Sequence, residues 1–123
     1  MAAYSRSFLL IFVLLTGLSA DAGVRVASFS FNGVSNRFIT PNGDGRNDNV
    51  AFNFNNASDA AGSVKIYDLR GHLVTTISIN SGTGATFAIW DGRANGSIVS
   101  TGVYIYVLAV ESVVASGALV VIR

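Results

Sequence analysis

The segment Pro41-Asn-Gly-Asp-Gly-Arg-Asn-Asp48 gathers Asn42, Asp44, Asn47 and Asp48 around two glycines. Hard oxygen ligands on a tightly turning backbone are what a calcium ion needs. With Asp44 and Gly45 set on the fifth and sixth positions of an EF-hand-type loop, Asn42 falls third and Asp48 ninth. Thr40 then stands first and Ala51 stands where a bidentate Glu is expected. Two carboxylates thus outline a calcium site of modest affinity at Asn42, Asp44, Asn47 and Asp48, and no cofactor is required. The same residue types have a second use: Asn and Asp side chains bond their own backbone and glycines accept positive φ, which predicts a self-stapled turn with Gly43 or Gly45, or both, at positive φ. Both readings stay open at the level of sequence.

Other chemistry-bearing residues are isolated. His72 is the only histidine and sits in the turn Arg70-Gly-His-Leu73, with no Ser and Asp spaced as nucleophile and orienting partner. Asp68 and Asp91 each stand beside a turn, where carboxylates cap backbone N–H groups more often than they pair as acid and base. Trp90 precedes Asp91-Gly92. An exposed indole there offers a sugar platform, but a sole tryptophan at a strand end is expected to plug a sandwich core. Phosphate loops, metalloprotease helices and nucleophile elbows are missing from the sequence. The expectation is therefore a protein with no catalytic residues.

Such turns must be held by a scaffold, and composition bounds it. Of 123 residues half are hydrophobic and only 12% charged, so the chain buries a core. Eight basic against seven acidic residues, with no cluster of either sign, argue against a nucleic-acid footprint. The absence of cysteine removes disulfides, thiolate zinc sites, Cys nucleophiles and lipid attachment. Residues 1–22 read as a secretory signal: Arg6 supplies the positive charge, Phe8 to Leu15 the apolar run, and Ala20-Asp21-Ala22 the small-x-small cleavage pattern. The apolar run makes about 12 Å of helix, well short of a membrane span. The chain from Gly23 onward has the length of one domain, with residues 23–37 as an N-terminal strand and lead-in joined to 38–123.

From Val24 onward, short β-branched and aromatic runs recur between turn signals, and helical spacing is nowhere sustained. Strands are predicted near Val26 to Phe31, Val50 to Phe54, Ser63 to Leu69, Leu73 to Ile79, Ala85 to Trp90, Val103 to Val110 and Ser116 to Ile122. Val103 to Val110 is apolar on both faces and is expected at the centre of a sheet. The fold class is all-β: a two-sheet antiparallel immunoglobulin-like sandwich of about seven strands, expected to be monomeric.

Three motifs occur in order: Ile39-Thr-Pro-Asn-Gly-Asp-Gly-Arg-Asn-Asp48; Val64-Lys-Ile-Tyr-Asp-Leu-Arg-Gly-His-Leu-Val74; and Trp90-Asp-Gly-Arg followed by Ser100-Thr-Gly-Val-Tyr-Ile-Tyr-Val-Leu108. With the ending Leu119-Val-Val-Ile-Arg123, they resemble the FlgD-like (flagellar-hook-capping-type) immunoglobulin-like domain and the similar gliding-motility-associated C-terminal domains that act as type IX secretion sorting signals. Arg70 and the Tyr67-Asp68-Leu69 before it lie nearer the FlgD-like branch. The resemblance implies a non-enzymatic bacterial module, secreted or at the cell surface. Its partner would be a protein, either secretion machinery or a surface-assembly partner. A calcium-dependent adhesive or carbohydrate-binding module is the alternative, carried by residues 42–48 and an exposed Trp90.

Overall fold

Alternation of inward apolar and outward side chains turns residues 28–123, which the computed structural model describes, into ten strands with no helix among them. They are β1 (Phe29–Val34), β2 (Phe38–Ile39), β3 (Val50–Asn56), β4 (Gly62–Asp68), β5 (Leu73–Ile79), β6 (Phe87–Trp90), β7 (Arg93–Ala94), β8 (Ser97–Ile98), β9 (Gly102–Val110) and β10 (Val113–Val121). The signal peptide read over residues 1–22 and the first residues of the lead-in lie outside the described residues.

The strands make an immunoglobulin-like sandwich of two sheets, one in the order β1-β3-β6 and the other β2-β10-β9-β4-β5, with β7 and β8 as a small separate hairpin. Pairing is antiparallel except for β2, which runs parallel to β10 with Phe38 opposite Val120 and Ile39 opposite Val121. As its two-sided apolar sequence predicts, β9 is flanked by β10 and β4 and buries Tyr104, Tyr106, Leu108 and Val110. Phe52 and Phe31 from the smaller sheet meet Tyr106 with ring centroids 5.1 and 5.9 Å apart, and Trp90 meets Tyr104 edge-on at 5.7 Å. These aromatic contacts cross the gap between the sheets and complete an apolar core that, among the described residues, runs from Phe29 to Val121.

Several strand limits differ from those read in the sequence, for physical reasons. The first strand is Phe29–Val34 rather than one ending at Phe31, because a bulge between Phe31 and Gly33, with Gly33 at φ 100°, carries the ladder past the Asn-Gly pair. The last is Val113–Val121, starting three residues before Ser116. Ser116-Gly117 looks like an interruption, yet Gly117 is where the Tyr106 ring lies across the neighbouring strand. A Cβ there would stand 2.6 Å from the phenol oxygen. The sixth strand begins at Phe87, although Thr86 still accepts a hydrogen bond from the Phe54 amide. The expected seven strands omitted β2, β7 and β8, each of two residues and too short to show a period.

Candidate functional site

Two of the sequence motifs meet at one end of the sandwich. The loop after β2 is closed at its base by Thr40, whose amide donates to the Asn47 carbonyl at 2.7 Å. Inside it the Asp48 carboxylate accepts from the Gly43 amide at 2.9 Å through one oxygen and from the Gly45 amide at 2.7 Å through the other. Asn42 Oδ1 accepts from the Asp44 amide and Asp44 Oδ1 from the Arg46 amide, at 3.1 and 2.8 Å. Gly43 and Gly45 take φ of 79° and 83°, as the turn reading required, and Asn47 reaches 52°. The loop is a self-stapled turn: N–H donors converge on Asp48, an arrangement that suits a carboxylate rather than a bare cation.

The four sequence-singled residues Asn42, Asp44, Asn47 and Asp48 are thus brought together, although Asn47 contributes through its backbone. Among the described residues no three His, Cys, Asp or Glu side chains are grouped to hold a metal ion. Any calcium at this loop would need oxygen ligands beyond the two carboxylates, and would compete with N–H groups for Asp48.

Against this loop packs the turn after β6. Trp90 is 2% exposed and its indole N–H donates to the Arg93 carbonyl at 2.9 Å, so the side chain belongs to the core as expected. Asp91 accepts from the Arg93 amide at 3.1 Å, and Gly92, at φ 76°, brings its Cα against Pro41. A Cβ on Gly92 would lie 3.1 Å from Pro41 Cγ, which ties the first motif to the third by shape. Pro41, Gly43, Asp48, Asn49, Asp91 and Arg93 line a shallow open depression between the two turns.

The second motif forms the β4–β5 hairpin. Asp68 Oδ1 accepts from the Arg70 and His72 amides at 2.9 and 3.0 Å, and Gly71 at φ 89° turns the chain. The His72 amide bond, helped by the Arg70 amide and the nearby His72 and Arg70 side chains, holds the Asp68 carboxyl below its ordinary range against an opposing desolvation. His72 Nδ1 stands 3.6 Å from Asp68 Oδ2 with its side chain mostly exposed. Like Asp48 and Asp91, Asp68 caps its own turn.

Tyr104 packs against Trp90 in the core and has a second task that the sequence reading did not find. Its hydroxyl donates to the Ser100 carbonyl at 2.7 Å, pinning the crossover segment before β9 as a tyrosine corner does in other sandwiches. Burial, with the Asp68 charge adding to it, raises the Tyr104 hydroxyl above the usual phenol value. The signal was legible as a Tyr four residues after Ser100 at a strand start.

All three motifs fall inside residues 32–120, the stretch matched by the family model of the CHU_C type IX secretion signal domain. The chain belongs to this family. Type IX secretion signal domains mark sorting-related exported modules, and membership places the protein among secreted or cell-surface proteins of bacteria. Of the two similar branches recognised in the motifs, the type IX one is matched. The matched stretch starts inside β1 and ends inside β10, so it takes in both sheets. Curated proteins yield no match to the chain. Among the described residues no helix is long and apolar enough to cross a membrane.

Proposed function

We propose that this domain is a non-enzymatic sorting and interaction module, recognised as a folded unit by protein components of the type IX machinery or by a surface-assembly partner. The match over residues 32–120 carries the proposal. The site geometry supports it, because Asp48 gives both carboxylate oxygens, and Asp68 and Asp91 one each, to backbone amides of their own turns. Side chains so engaged shape a rigid surface and leave little to polarise a substrate. Recognition by shape needs neither a cofactor nor a general base.

The test places a fluorescent passenger between the secretory leader and this domain, in a bacterium with an intact type IX system and in one lacking it. Passenger at the surface or in the medium only when both domain and system are present is the expected result. Equal delivery with the domain deleted would refute the sorting role. The alternative of a calcium-dependent adhesive or carbohydrate-binding module keeps only the residue 42–48 loop as support, since a core position for Trp90 removes its indole as a sugar platform.

A further inference from the structure

A strand at the edge of a sheet carries backbone N–H and C=O groups in want of a partner. β2 pairs with β10 only at Val120 and Val121, so along Val113 to Leu119 the side of β10 away from β9 has no neighbouring strand among the described residues. The Val120 amide donates to the Arg37 carbonyl at 2.8 Å and the Ile122 amide to the Ile39 carbonyl at 2.9 Å. The N–H and C=O of alternate residues point to the same side of a strand, and the register of β10 with β9 runs unbroken. Val114, Ser116 and Ala118 therefore aim theirs at the open side. All three residues are exposed, Val114 by 68%.

Unpaired edges are ordinarily blunted by charge, proline, a bulge or shortness. Thus β1 is bulged at Gly33, β6 is four residues long, and β5 runs alongside β6 and β7. Val113 to Leu119 has none of these protections: it carries no charged residue and no proline, and its ladder is regular. The inner lip of this open edge is apolar. β1 is the strand of the smaller sheet that approaches β10, the Tyr106 ring lies against Gly117, and Phe31 of β1 meets that ring while staying only half-buried. Val113 is half-buried as well.

We infer that the open edge of β10 takes up an extended segment of a partner protein as an added strand, in the column that β2 begins. A row of backbone N–H and C=O groups specifies an extended polypeptide, whose main chain supplies the affinity while alternate side chains supply the selectivity. The seat spans roughly 24 Å at about 3.4 Å per residue, room for about seven residues. No charge on the edge is there to pair with a charged guest, and Phe31 and Val113 line the inner side. The segment is therefore uncharged and turns an apolar side chain inward at every second position. Strand addition here is independent of the sorting role, and the passenger assay does not read it.

The probe is a capped synthetic heptapeptide of alternating threonine and valine, titrated into the isotope-labelled full chain and followed by backbone amide shifts and hydrogen exchange. The Val114, Ser116 and Ala118 amides should exchange freely without peptide and become protected with it. A fully N-methylated copy keeps the side chains but has no N–H to donate, and should leave the three amides unprotected. Ser116→Pro removes an N–H that serves no native strand pair, so the fold should persist, as Trp90 emission reports, while the peptide Kd rises at least about tenfold. Ser116→Thr keeps both the N–H and the affinity. If Ser116→Pro does not fold, the methylated peptide decides by itself. Amides already protected in the parent, no binding of the peptide, equal binding of the methylated copy, or a folded Ser116→Pro with unchanged Kd would overturn the inference.

Discussion

Removing the Asp48 carboxylate separates the two uses open to the loop of residues 40–48. Each of its oxygens holds one glycine amide, Gly43 at 2.9 Å and Gly45 at 2.7 Å. A charge-assisted hydrogen bond on a partly exposed turn contributes about 1 kcal/mol, so Asp48→Ala should cost about 2 kcal/mol. In a domain of this size that lowers Tm by about 10 °C. Asp44→Ala removes only the bond to the Arg46 amide and should cost about half as much. Neither loss should depend on calcium. A ligand bound only to the folded state adds RT ln(1 + [L]/Kd), so sub-millimolar affinity would give about 1.5 kcal/mol or more, and about 6 °C, in 10 mM calcium. Differential scanning calorimetry of the parent and both variants, with chelator and with calcium, reads all of these at once. The expected record is a parent Tm that barely moves with calcium. A parent rise of about 6 °C that either substitution abolishes would refute the stapled-turn argument and make the loop a calcium site.

Three further outcomes rest on the packing and the hydrogen bonds. Trp90→Ala should cost about 3–5 kcal/mol in chemical denaturation, by emptying the space against Tyr104 and orphaning the Arg93 carbonyl. A parent emission maximum typical of water-exposed indole would contradict the burial on which this rests. Gly117→Ala should destabilise by about 1–3 kcal/mol, because the Tyr106 ring it strikes is itself held by Phe31 and Phe52; an unchanged denaturation midpoint would show that the ring yields freely. Asp68 stabilises the native state fully above the ordinary aspartate value of about 3.9, and that stabilisation is lost as pH falls through its lower native value. Tm measured from pH 5 downward should therefore fall less steeply in Asp68→Asn than in the parent, and equal slopes would count against the hairpin cap.

The turns were legible residue by residue, because their chemistry is local. Asn-Gly and Asp-Gly pairs accept positive φ wherever they stand, and an Asp two to five residues from a free amide caps it with little help from the rest of the chain. The long strands were legible for the same reason: β4, β5 and β9 show their β character in seven to nine consecutive residues. The two-residue β2 was not, since Phe38-Ile39 forms a strand only by lying beside Val120 and Val121, more than eighty residues away.

The all-β class, the positions of the tight turns, the burial of Trp90 and the family resemblance could all be read before any fold was known, since each depends on near neighbours or on motifs of fixed spacing. Tertiary structure alone decided which turns meet. Pro41 against Gly92 joins the first motif to the third, and Tyr104 reaches back to Ser100 to fix the crossover. It also decided that β9 turns Tyr104, Tyr106, Leu108 and Val110 into the core and leaves Ile105, Val107 and Ala109 on the half-covered side. Period-two alternation says which residues share a face, but which face is covered is set by how the sheets stack, and that depends on every strand at once.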